Sequence, residues 1–146
     1  MKSDDAEVLR EVQKNTKMAI KALDALKDRV YDDGLSMQIA RESMKYGEIY
    51  NKATDQLLKG KASSYQESGF QDMMLKSAIW ANTLMNTSTS HMAELLIQGS
   101  NRGLTSMWKA VNHNENAGQL AVEMAKELME NGEVVFKCRQ ALLFYY

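Results

Sequence analysis

The stretch DDAEVLREVQKNTKMAIKALDALKDRVY, residues 4–31, decides the fold. Its Leu9, Val12, Thr16, Ala19, Leu23, Leu26 and Val30 are spaced 3, 4, 3, 4, 3, 4, which is the seam of a helix packed along its length. Asp4, Asp5 and Glu7 fall in the first turn, where carboxylates complement the positive end of the helix dipole, and Ser3 or Asp4 can cap it. Asp32-Asp33-Gly34 reads as the turn that ends it.

Outward from this helix the same spacing returns three times. Ile39, Ser43, Tyr46, Tyr50, Ala53 and Leu57 predict a second helix over 36–58, folded back on the first because the link is short. Ala93, Ile97, Ser100, Leu104, Met107 and Val111 predict a helix over 90–112. Gly99 and Gly103 lie on a neighbouring stripe, where small residues let another helix approach closely, and 113–116 reads as a polar turn. Ala121, Met124, Leu128, Asn131, Val135, Cys138 and Leu142 predict a last helix over 117–143, in phase through Asn131-Gly132. Between the second and third of these, 59–64 reads as a loop and 70–86 as a shorter helix. Residues 86–90 mark a junction there, because hydroxyl side chains suit an N-cap better than a helix interior. The expected fold is all-α, a single domain over 1–146. It is a four-helix bundle with ferritin-like connections: two hairpins joined by a long crossover that carries an extra helix. The lack of proline fits long, uninterrupted helices.

Composition narrows the function. The 18 basic and 19 acidic residues give a net charge of −1, without the basic surplus that nucleic-acid binding requires. A single cysteine rules out an internal disulfide and a thiolate metal cluster. The first residues are acidic, unlike a signal peptide, and no window approaches the ~20 apolar residues needed to cross a bilayer. A cytoplasmic protein with no nucleic-acid or membrane partner is therefore expected.

Residues 86–104, NTSTSHMAELLIQGSNRGL, resemble a group of small bacterial proteins found in clostridia and their relatives. The likeness lies in the hydroxyl-rich stretch, the His91-x-x-Glu94 pair and the Gln98-Gly99-Ser100 segment. The resemblance implies a ferritin-like fold and no particular activity. Arg102 and the Asn131-Gly132 pair depart from the pattern.

A ferritin-like di-iron or di-manganese site needs a Glu from each of two helices and a Glu-x-x-His from each of the other two. This chain has no Glu-x-x-His. His91 and Glu94 are the candidate metal ligands, in reversed order and on a stripe nearly opposite the seam; His113 falls in the predicted turn. The seams carry four polar breaks, Thr16, Ser43, Ser100 and Asn131, each near the middle of its helix. Such residues form either a register device, satisfied by local hydrogen bonds, or the floor of a small-ligand pocket. Neutral groups of this kind do not hold a hard cation. Glu123, Glu127, Glu130 and Glu133 read as a solvated face, and Cys138 as a small buried hydrophobe. With no acid–base pair, activated nucleophile or phosphate loop, no cofactor and no catalysis are expected.

Partners are the stronger expectation. Over 70–113 the charged residues are Asp72, Lys76, Glu94, Arg102 and Lys109, whereas Met73, Met74, Trp80 and Trp108 add large apolar area. One seam does not absorb that area, so a homodimer or another protein partner is expected on this face. The apolar tail, 142–146, is expected to dock. The primary reading is a non-enzymatic structural or interaction bundle. The alternatives are a metal-binding or redox protein built on His91 and Glu94, and a small-ligand sensor using the mid-bundle polar layer.

Overall fold

The computed structural model describes residues 1–83 and 87–131. These residues form five helices and no strand: α1 (Ser3–Lys27), α2 (Asp33–Lys59), α3 (Gly69–Thr83), α4 (Thr89–His113) and α5, which occupies 119–131. The described residues form helices and connecting segments alone, as the seams predict. The expectations for Glu133, Val135, Cys138, the continuity through Gly132 and the apolar tail lie outside the described residues, as does residue 86; the rest of the junction predicted at 86–90 opens α4, where the Ser88 hydroxyl accepts the His91 N–H at 3.3 Å as an N-cap.

Helix ends differ from expectation for local reasons. The Asp-Asp-Gly sequence starts α2 instead of ending α1. The Asp32 carboxylate accepts the Leu35 N–H at 2.8 Å, the bond of a helix N-cap. α1 stops at Lys27, yet Val30 beyond it is still buried. Lys2, with no side-chain cap bond, occupies the N-cap of α1, so Ser3 lies inside the helix. His113 is the last residue of α4 rather than part of a turn. At the end of α2, Lys61 N–H bonds to Leu58 C=O and Ala62 N–H to Leu57 C=O, the paired bonds of a Schellman stop. Lys61, not Gly60, holds the left-handed position, with φ 55°.

The seams pack on one another. Leu9, Val12, Leu23 and Leu26 of α1, Ile39, Tyr46, Ala53 and Leu57 of α2, Met107 of α4 and Ala121, Met124 and Leu128 of α5 belong to one buried cluster. Leu35, Ile49, Met92, Leu96, Ala125 and Met129 join it from positions beside the seams. Cross-links give the directions. Gln13 meets Thr54, and a Cβ on Gly60 would touch Met1, so α2 runs against α1. Ser106 bonds Glu11 at 2.5 Å and Asn116 N–H bonds Asp4 at 2.9 Å, so α4 also runs against α1. Asp5 accepts the Gly118 N–H at the start of α5, which therefore runs with α1. The acids of the first turn of α1 thus also serve the amides that open α5. Lys52 and Lys45 reach Glu127 at 2.9 and 3.6 Å, joining α2 to α5 and holding the Glu127 carboxyl below its ordinary value. Glu123 and Glu130 are exposed.

The crossover is pinned along α1. Buried Gln13 donates to Thr54 at 2.9 Å and to Ser64 at 3.4 Å, and accepts the Tyr65 N–H at 2.8 Å. Further on, Lys21 bridges Glu67 at 2.8 Å and Asp72 at 3.1 Å. α3 therefore travels with α1, from Tyr65 beside Gln13 to Asp72 beside Lys21. It packs lightly: Thr83 is its buried residue, while Leu75 and Ile79 are half-buried.

Candidate functional site

The four predicted polar breaks find different partners. The Thr16 hydroxyl donates within its own helix, 2.8 Å from the Val12 carbonyl and 3.0 Å from that of Gln13. Ser43 is half-buried. Ser100 and Asn131 do converge, and the group between them is buried Tyr46, whose phenol has both side chains as polar neighbours, although the buried Asn131 Nδ2 has no hydrogen-bond partner among the described residues. Burial pushes the Tyr46 phenol up, and Ser100 and Asn131 oppose that shift. Three helices, α2, α4 and α5, thus meet through neutral polar side chains in the interior.

This cluster stands at the wall of a cavity. Between α1, α3 and α4, with α5 behind, lies a space of about 420 Å³, within the ~300–1,000 Å³ usual for small-molecule sites. Its inner wall is made by buried Leu23, Leu26, Tyr46, Leu96, Met107 and Leu128. Ala19, Ala22, Leu75 and Ile79 line its flanks, and exposed Arg102, Gln98 and Asn82 mark where it opens to solvent. Two causes create the space. α1 presents alanines at 19 and 22 where larger side chains would fill it. Gly99 also lines it, and a Cβ there would meet no atom within 4 Å. Gly99 therefore opens a cavity rather than admitting a helix. Gly103 does face a close neighbour, with the Asn15 oxygen 3.5 Å from where its Cβ would sit.

The structure brings His91 and Glu94 together, with His91 Nδ1 4.0 Å from the carboxylate. Nε2 of the same ring is 2.7 Å from the Asn82 carbonyl oxygen. A carbonyl only accepts, so that nitrogen carries hydrogen, and the ring ties the end of α3 to the start of α4. No third ligand joins the pair: among the described residues, no group of three or more His, Cys, Asp or Glu side chains is placed to hold a metal ion. Met73, Met74, Trp80 and Trp108, expected at an interface, are all exposed in the chain. Among the described residues, no helix is long and apolar enough to cross a membrane.

Tyr46 and Gln13 escape the sequence reading. Tyr46 counts as an apolar seam residue and hides its hydroxyl. Gln13 looks like a solvent-facing neighbour of the seam until the crossover bends over it. Compared with protein-family models, curated proteins and solved structures, the chain matches none.

Proposed function

We propose that this chain is a non-enzymatic binding protein, a ferritin-like four-helix bundle that holds a small, mainly apolar molecule between α1, α3 and α4. The cavity of about 420 Å³ beside the Tyr46–Ser100 contact carries this reading. Its wall is mostly hydrocarbon with a few convergent polar groups, the usual make-up of a ligand pocket. The connectivity supports the ferritin-like description: α2 and α4 run in the same direction and are joined by a crossover containing α3. The resemblance over 86–104 points the same way. Titration with an anilinonaphthalene sulfonate dye tests the proposal. Saturable uptake of one dye per chain is expected, abolished by Ala22→Phe, which fills the space, with helical content retained. No uptake, or uptake indifferent to Ala22→Phe, would count against it.

A second reading, self-association, draws on the outer face of the same elements. Phe70, Trp80 and Trp108 are 69%, 54% and 56% exposed, in a region with few charges to keep it apart from another chain.

A further inference from the structure

The cavity has a charged end and a mainly apolar end. Along α1 its lining runs from Lys14 to Leu26, a span of roughly 18 Å at 1.5 Å per residue. At the first end, Asn15 abuts Gly103. That contact brings Lys14 and Arg102, the neighbours of these two residues, to the same level of the cavity. At the other end the lining is Leu23, Leu26, Leu95, Leu96 and Ile79, with Asn82 of α3 the polar residue at its rim.

The charge on this lining is of one sign. Lys14 and Arg102 are its ionised side chains, and no Asp or Glu lines it among the described residues. Neither cation has an ion-pair partner among the described residues, whereas the lysines beside α3 are paired. The nearest acid along α1, Glu11, accepts from Ser106 at 2.5 Å and from Asn15 at 3.1 Å. Midway along the cavity, the Tyr46 hydroxyl has Ser100 beside it as a polar neighbour, so an apolar chain passes it without leaving it unpaired.

Resting on the binding function proposed above, we infer that the cavity takes a single-chain amphiphile with an anionic head. The head sits between Lys14 and Arg102, and the chain lies toward Leu23 and Leu96. Charge complementarity assigns the head, because two unpaired cations at one end of an apolar slot favour an anion there.

Calorimetric titration of the whole chain with dodecanoate, 1-dodecanol and butyrate, below micelle-forming concentrations, tests this. Dodecanoate is expected to bind at one per chain, about tenfold more tightly than dodecanol, with butyrate not retained. Lys14→Gln and Arg102→Gln, at positions that are not buried, should each remove most of that preference while dodecanol binding is unchanged. Equal binding of dodecanoate and dodecanol would overturn the head-group assignment and leave the cavity function standing. Butyrate binding as tightly as dodecanoate would overturn the amphiphile. Failure of both long-chain probes would overturn the assignment together with the function on which it rests.

Discussion

Tyr46 joins three helices through one oxygen. Its ring is packed in the core and its hydroxyl meets Ser100 and Asn131. Tyr46→Phe keeps the packing and strips these neighbours of the hydroxyl they face, so a loss of about 1–3 kcal/mol is expected in urea unfolding. An unchanged midpoint would show that the hydroxyl holds nothing together. Lys61 tests the opposite sign. It occupies a left-handed conformation that strains any side chain with a Cβ, directly after a glycine whose place is set by the close approach of Met1 and not by its backbone angles. Lys61→Gly is expected to stabilise the chain by about 1 kcal/mol in the same assay. At this scale the sequence was partly legible. Ser100 and Asn131 stood out as polar breaks in apolar seams. Thr16 looked the same, but its hydroxyl turns back on its own helix, and no spacing rule separates these outcomes. Nor did spacing distinguish Gly60 from Lys61, because the Schellman bonds set which residue turns left-handed.

Among the elements, α3 depends least on burial and most on charge. Lys17 and Lys21 hold Glu67, and Lys21 holds Asp72, at the surface of α1, while Lys76 pairs with Asp72 within α3. Hydrogen bonds and charge from these lysines lower the carboxyl values of Glu67 and Asp72, and the two acids raise that of Lys21. The acids bind protons less readily in the folded chain than in the unfolded one. Their contribution is complete at neutral pH and fades as pH falls below about 4. Lys21 keeps its share until pH rises past the ordinary lysine value. The protection of α3 amides relative to the intrinsic exchange rate at the same pH is expected to fall on acidification through that window, and in high salt at neutral pH, before protection in α1 or α2 changes. A uniform fall in protection across all helices would contradict a tether of this kind. The long helices were legible because each carries one seam of constant phase. α3 was legible as a helix but not in its facing, since its apolar residues ring the axis. Its partner face is set by Gln13 and Lys21, which are distant in sequence.

For the whole molecule, the space between α1, α3 and α4 follows from small residues on two long helices facing a crossover that packs lightly. Alanine at 19 and 22 and glycine at 99 were visible in the sequence. That they face a common void depends on where the crossover lies, which no local pattern encodes. The exposed Phe70, Trp80 and Trp108 bear on assembly, and a dimer is expected in sedimentation equilibrium at micromolar concentration; a monomer there would contradict self-association through this face. The central claim, a ligand held inside the chain, is tested most directly by nuclear Overhauser contacts between the chain protons of bound dodecanoate and protein methyl groups. The account predicts contacts to Ala22, Leu23, Ile79 and Leu96 together. Contacts confined to the exposed methyls of Met73 and Met74 would place the molecule outside and contradict it.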